Sequence, residues 1–404
     1  MRPILRLALT IPAVLIASYA AVEAVRFARA ERLSRGDTVE ALQAALRMTP
    51  GNADYHTRIA TLDPSQDDEL VVALTLNPRD PSWWIMLSVS QEEHGDVAGA
   101  EKSLRQANIV SRYYTPRWSL AAFYYRQGNK AEFTRWARSA LSVGYGGPES
   151  LYQMAQRLSI SSNQILDDLL PEVPERVDSY LHLLLQQGKV EQEYAFAAQL
   201  LRVGSEANRS SVLETCESLF IAGKTDQAVA LWNGAIQARW IALSPLDPLL
   251  GKSLGNDSVS GELLGLGFDW KSSIPSVVSA SRSVPDRSLC LEFSGSQPET
   301  GDLISQFVPL LPNRRYQLNV HYRLHPTSSE SGLQWSVLPV PSGKPLMVGL
   351  MNLSSETFVE QSFPFETPPL QGPMRILLSY ARLPGTTRIE GTLWIQSVQL
   401  NLLP

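Results

Sequence analysis

The chain is poor in the side chains that small metal centres and catalytic sites use most. Its 404 residues include only two cysteines, Cys216 and Cys290, and five histidines. Two cysteines cannot complete a cysteine-based zinc site, and we expect no disulfide because the two lie in differently patterned segments. No HExxH, GxSxG or GxxxxGK[ST] motif is present. We therefore predict no catalytic residues, no metal ligands and no cofactor.

A basic surface is lacking as well. The chain has 35 lysines and arginines against 40 acidic residues, which gives a formal net charge of −5. Nucleic-acid-binding proteins need clustered positive charge against phosphates, so the sequence predicts no nucleic-acid partner. The 44% hydrophobic and 19% charged fractions are those of a globular protein, and the length suits two or three domains.

One long uncharged apolar run is present at the N-terminus. It covers residues 7–22, between Arg6 and Glu23, and widening it to residues 4–25 gives about the 20 residues of a bilayer span. We predict a transmembrane or signal-anchor helix at residues 1–27, with a cleaved signal peptide as the alternative. This implies a single-pass protein of the cytoplasmic (inner) membrane. The bulk of the chain is expected outside the cytoplasm, although four arginines after the run favour the opposite orientation.

A repeated pattern occupies residues 28–240. Gly95 and Gly128 lie 33 residues apart, and each is followed by small or apolar residues at +5, +9 and +12. These residues are Ala100, Leu104 and Ala107 after the first glycine, and Phe133, Ala137 and Ala140 after the second. Self-similarity at this period predicts stacked helical hairpins.

The hairpin at Gly95 resembles the tetratricopeptide (TPR) family. Trp84, Leu87 and Ser88 match the large, leucine and small positions of the family's first helix, and residues 73–78 match the A-L-x-L-x-P that closes the preceding repeat. The resemblance implies an α-solenoid whose groove docks a protein partner. Candidate groove residues are Trp83, Arg117 and Tyr125; packing of the two aromatics and a solvated arginine are the alternative interpretations.

After a linker rich in proline and glycine at residues 241–260, the period changes to two. In residues 316–323, Tyr316, Leu318, Val320 and Tyr322 alternate with polar side chains. Such half-buried strands, separated by turns, predict an antiparallel β-sandwich over residues 261–404.

Two of its segments, LPNRRYQL at residues 311–318 and GTLWIQSVQL at residues 391–400, resemble strands of carbohydrate-binding modules with a jelly-roll fold. The resemblance implies glycan binding on an aromatic platform flanked by planar polar groups. Trp270 and Trp335 are the candidate platform, and Arg323 and Gln334 the flanking groups. Burial of both tryptophans is the alternative, since Trp335 lies on the apolar phase of its strand.

The predicted architecture is a transmembrane helix, a TPR-like α-solenoid and a C-terminal β-sandwich. We expect a non-catalytic membrane-anchored scaffold that docks protein partners and presents the sandwich to a glycan or another envelope component, in surface-polysaccharide assembly or export. The alternative is an assembly factor of a membrane protein complex, with a sandwich that binds protein. An enzyme is disfavoured because no paired carboxylates form a recognisable motif.

Overall fold

The computed structural model describes residues 2–144, 146–259, 263–283, 285–326, 331–341, 343–351, 355–369 and 372–404. The side chains of residues 2–12 and 326 lie outside the description. So does the predicted boundary between linker and sandwich, at residues 260–262. The chain divides into two compact units, Met1–Pro171 and Glu172–Pro404.

The first unit is helical. Its helices are α1 (Arg2–Ser34), α2 (Val39–Met48), α3 (Ala53–Leu62), α4 (Asp68–Leu76), α5 (Pro81–Glu93), α6 (Val97–Val110), α7 (Tyr114–Arg126), α8 (Lys130–Leu141), α9 (Glu149–Arg157) and α10 (Ser162–Gln164). A π-helical turn at Ile165–Leu169 follows α10. The prediction of a helical N-terminal region is confirmed.

The hairpin of α5 and α6 shows why this sequence folds as it does. The Asp80 side chain caps α5 by accepting a hydrogen bond from the Ser82 N–H, and Pro81 begins the helix. Gly95 turns the chain with a φ of 81°, in the left-handed region that favours glycine. The +5, +9 and +12 residues after Gly95 and Gly128 are all buried, where facing helices approach closely.

The N-terminal helix corrects two predictions. Within the described residues, no helix is both long and apolar enough to cross a membrane. The uncharged run has sixteen residues, fewer than the roughly 20 of a span, and α1 continues through Glu23, Arg26 and Arg29. The transmembrane element of the predicted fold and the predicted single-pass location in the cytoplasmic membrane are therefore wrong.

The second unit begins with two helical hairpins and ends in a β-sandwich. The helices are α11 (Pro174–Gln187), α12 (Val190–Val203), α13 (Arg209–Ile221) and α14 (Thr225–Gln237). The strands are β1 (Lys271–Ser272), β2 (Val278–Ser283), β3 (Ser288–Ser294), β4 (Thr300–Val308), β5 (Arg315–Pro326), β6 (Leu333–Pro339), β7 (Met347–Leu350), β8 (Val359–Glu366), β9 (Met374–Ala381) and β10 (Glu390–Leu402).

The strands form two antiparallel five-stranded sheets, as the alternating pattern predicts. One has the order β1-β4-β9-β6-β7 and the other β2-β3-β10-β5-β8. The apolar phase of β5, from Tyr316 to Tyr322, is fully buried in the core between them. In β10 a bulge at Gln396 shifts the pairing with β5, since Ile395 pairs with Tyr322 and Ser397 already pairs with His321.

Helix α13 packs against the sandwich through aromatic side chains. The Phe220 ring lies 5.1 Å from that of Phe268 and 5.5 Å from that of Phe307, measured between centroids. Glu217 accepts a 2.7 Å hydrogen bond from the Gly267 N–H and a 2.5 Å bond from the Lys271 ammonium. The last helical hairpin and the sandwich therefore share buried surface.

We expect Phe268→Ala to lower the free energy of unfolding by about 3–5 kcal/mol, because it leaves a cavity beside Phe220 and Trp232. Chemical denaturation of the full chain measures the change. Leu249→Ala is the control, since Leu249 is 78% exposed and its truncation should cost less than about 0.5 kcal/mol. Equal effects of the two substitutions would contradict the packing described.

Helix α12 carries a buried carboxyl group, that of Glu193. It is fully buried, and neither carboxylate oxygen meets hydrogen-bond geometry with another described residue, although the Ser218 hydroxyl lies near enough to oppose the rise in its pKa. Burial raises the pKa of Glu193 because the charged form loses its hydration. Its stabilising contribution is therefore complete below the unfolded-state pKa of about 4.3, and it is lost as pH rises toward the folded-state pKa.

Glu193→Gln should therefore raise the free energy of unfolding by roughly 1–3 kcal/mol near pH 8 and change it little near pH 4. Thermal unfolding followed by circular dichroism at both pH values measures this. The matched control is Glu191→Gln on the same helix, where an exposed glutamate pairs with Lys224, so that the substitution should slightly lower stability near pH 8 rather than raise it. A gain of the same size at both pH values would show that the carboxyl of Glu193 does not titrate as proposed.

Candidate functional site

The outer face of the sheet β2-β3-β10-β5-β8 carries a continuous set of polar and aromatic side chains. Strand alternation places these opposite the core residues of β5 and β10. Cross-strand pairing arranges them in rows, in which Trp394 faces Arg323, Ser397 faces His321, Gln399 faces Asn319, and His321 also faces Glu360 of β8. We call this surface the polar sheet face.

One end of the polar sheet face is an arginine held between two rings. The Arg323 guanidinium carbon lies 4.2 Å from the centroid of the Trp394 ring and 5.0 Å from that of Phe358. A guanidinium over an aromatic face is held by the ring quadrupole. Trp394 and Phe358 are half-buried, so part of each ring reaches solvent.

The turn between β2 and β3 fixes this arginine from the side. Arg323 Nη2 donates a 3.3 Å hydrogen bond to the Asp286 carboxylate, and Gln396 at the β10 bulge donates a 3.0 Å bond to the Asp286 carbonyl. Among the described residues, Arg323 Nε has no partner although it is buried. The guanidinium is therefore positioned by the two rings and by Asp286.

Next to the arginine lies a small polar cleft of about 150 Å³, lined by Asn319, His321, Glu360, Ser397 and Gln399. In the described part of the chain, the side chains of Glu360, Ser397 and Gln399 make no hydrogen bond to another residue. Carboxylate, hydroxyl, imidazole and amide groups thus meet beside two aromatic rings. Such a site offers both donors and acceptors to a ligand that has apolar and hydroxylated faces.

The structure separates the four predicted glycan-binding residues. Trp270 and Trp335 are 0% exposed and meet edge to face in the core, with ring centroids 6.0 Å apart. Neither indole can offer a platform to a ligand at the surface. Arg323 lies on the polar sheet face, whereas Gln334 lies on the outer face of the other sheet and donates to Ser379.

The three predicted groove residues lie on α5 and α7. Trp83 packs against the buried cluster around Leu74 and Leu87. Arg117 donates a 2.8 Å hydrogen bond to the Ser139 carbonyl, so its guanidinium is engaged at the end of α8. The Tyr125 ring lies 6.4 Å from that of Phe133. All three take part in packing or capping, and all three remain partly exposed.

Among the described residues, no group of three or more histidine, cysteine or acidic side chains could hold a metal ion. Both cysteines are free and buried. Burial raises the pKa of both thiols, which keeps them protonated and poor nucleophiles near neutral pH.

Trp394, Phe358 and Glu360 are not among the site residues predicted from the sequence. The signal for Trp394 was present, because it lies on the polar phase of a strand whose apolar phase runs through Leu393 and Ile395. An aromatic residue on the outward phase is a better candidate platform than one on the inward phase. Phe358 and Glu360 carry no comparable signal, since only strand pairing brings them to Arg323 and His321.

No family model matches this chain, and no curated protein matches it. Several solved structures are similar to part of the chain. A tetratricopeptide repeat protein from Parabacteroides merdae is 13% identical, with 52% of this chain and 93% of that chain covered and a TM-score of 0.28. A structure described as "CBM4 structure and function" is 10% identical, with 40% and 100% covered and a TM-score of 0.27.

The chain is also similar to a structure of accessory secretory protein 1, 2 and 3 in Streptococcus pneumoniae. The identity is 18%, the coverage is 37% of this chain and 96% of that chain, and the TM-score is 0.26. At these identities and TM-scores the similarities do not support any particular function. The evidence for function comes from the side chains of this chain.

Proposed function

We propose that this protein is a non-catalytic binding protein that joins a protein partner to a glycan. The helical repeats dock the partner, and the polar sheet face binds the glycan. A protein with these two activities suits the assembly or export of a surface polysaccharide.

The observation that carries the glycan half is the juxtaposition of stacked Arg323 with the cleft at His321 and Glu360. Sugar rings present C–H faces that lie against aromatic rings, and hydroxyls that pair with planar polar groups. Trp394 and Phe358 offer the first kind of surface, and the cleft of about 150 Å³ offers the second. The lining side chains without partners lose no internal hydrogen bond when a ligand binds.

The protein-docking half is supported by exposed apolar side chains on the hairpins. Val89 on α5 is 46% exposed, and Tyr113 before α7 is 74% exposed. Glu92 and Arg126 form an ion pair between the same two helices, with Nη2 and Oε2 2.6 Å apart. Exposed apolar side chains and charged side chains on the same hairpins suit contact with a peptide segment of a protein partner.

One observation next to the sandwich favours the alternative, an assembly factor whose sandwich binds protein. A turn closed between Asp247 and Lys252 presents Leu249 and Leu250, which are 78% and 73% exposed. Ordered leucines at the tip of a fixed turn are typical of contacts with another protein. Loss of partner binding on Leu249→Asp, with glycan binding intact, would assign this role to the turn.

Affinity gel electrophoresis of the full chain in neutral, acidic and amino polysaccharides tests the glycan half. We expect at least one polysaccharide to retard the native chain. Trp394→Ala should weaken that retardation about fivefold or more, because it removes an aromatic contact worth roughly 1 kcal/mol and loosens Arg323. Arg323→Lys keeps the charge but loses the planar guanidinium, so it should weaken binding as well.

Gln334→Ala is the matched control, because Gln334 lies on the outer face of the other sheet and its loss should leave retardation unchanged. Thermal midpoints of all variants establish that each remains folded. The absence of retardation across the whole panel, or equal losses for Trp394→Ala and Gln334→Ala, would overturn the assignment of the polar sheet face.

A further inference from the structure

The segment between α14 and the sandwich lies along the second half of β10. The Val398 N–H donates a 2.9 Å hydrogen bond to the Asp257 carbonyl, and Ser258 forms an antiparallel bridge with Ser397. β3 pairs with β10 only from Glu390 to Ile395. We call residues 241–259 the connector; its end, at Asp257 and Ser258, therefore pairs with β10 beyond the point where β3 ends.

The connector is held in place from both sides. At its start, the Asn233 side chain of α14 donates to the Leu246 carbonyl and accepts from the Leu246 N–H, each at 2.8 Å. Farther along, the buried Ser253 hydroxyl donates a 2.7 Å hydrogen bond to the Pro309 carbonyl. These hydrogen bonds hold the connector in place beside β10, so that it forms a wall of the cleft described next.

Between this wall and β10 lies a second cleft of about 520 Å³. Its polar lining includes Lys252 and Asp257 of the connector and Gln399 and Asn401 of β10. All four side chains are exposed, and within the described residues none makes a hydrogen bond or ion pair. Gln399 also lines the cleft on the polar sheet face, so the two clefts meet at this side chain.

We propose that this connector cleft is an extension of the glycan site, into which a long saccharide chain continues from the polar sheet face. The inference rests on the proposed function. An ammonium, a carboxylate and two amides supply donors and acceptors without a net charge, which suits the hydroxyls of an uncharged part of the chain. The connector thereby brings residues from outside the sandwich strands into the same site.

The distance along β10 between the two clefts determines how long a saccharide must be to occupy both. Trp394 and Asn401 are seven residues apart, which corresponds to about 20 Å of extended strand. A disaccharide bound at Arg323 cannot reach the connector cleft, whereas a chain of six or more sugars spans both. Substitutions in the connector cleft should therefore affect long chains alone.

The experiment uses the full chain and an oligosaccharide ladder, from disaccharide to octasaccharide, made by partial hydrolysis of the polysaccharide that retards the native chain most. Titration calorimetry measures the affinity for each length. Lys252→Ala and Asn401→Ala remove exposed side chains without partners, so the thermal midpoint should not change. Lys344→Ala, another exposed lysine of the same unit, is the matched control.

We expect the double variant of Lys252 and Asn401 to bind hexasaccharides and longer chains about three- to tenfold more weakly, with the affinity for the shortest chains unchanged. Trp394→Ala should weaken binding at every length. If the double variant matches the native chain at every length while Trp394→Ala is impaired, the connector cleft is no subsite and the polar sheet face stands. Should no saccharide bind the native chain, both proposals fail.

Discussion

The alternation of side chains along β5 and β10 is the constraint on which the second unit depends. The inward phase, with Tyr322 and Leu393 among its members, builds the core between the two sheets. The outward phase of the same strands carries Arg323 and Trp394. Because neighbouring residues of one strand lie on opposite faces, a stable core fixes the positions of Arg323 and Trp394.

A second constraint is the contact between α13 and the sandwich. Phe220, Phe268 and Phe307 form an aromatic contact, and the Lys271 ammonium lies 4.5 Å from the centroid of the Phe307 ring while it pairs with Glu217. The ion pair is largely shielded from solvent, so removal of either side chain would leave the charge of the other uncompensated. The same helical hairpin also holds the connector, through the two hydrogen bonds between Asn233 and Leu246, and so supports one side of β10.

Local periodicity allowed most of the fold to be predicted. The glycines at 95 and 128 marked the helical hairpins, and the two-residue period around Tyr316 marked the strands. The membrane helix was mispredicted because a run of sixteen apolar residues was widened to reach the length of a span. Apolar content alone does not distinguish a bilayer segment from a long helix that continues through charged residues.

The candidate site was harder to predict from the sequence than the fold, because it depends on contacts between residues far apart in the chain. Gln396 and Asp286 are 110 positions apart, and no periodicity links them. Trp335 was a candidate because of its residue type, although its strand phase favoured the core, where it lies. Arg323 was correctly placed on an outward phase, but its partners Trp394 and Phe358 follow only from strand pairing.

The bulge at Gln396 sets where β10 tolerates a change in length. It is the extra residue between Ile395 and Ser397, so its removal leaves every later side chain on its present face of the sheet. A single deletion in β10 ahead of the bulge would reverse the faces on one side of it, so that either Leu393 or Val398 and Leu400 would turn outward. Homologous chains that differ in length within this strand should therefore differ at the bulge, and those without it should lack the brace on the turn at Asp286.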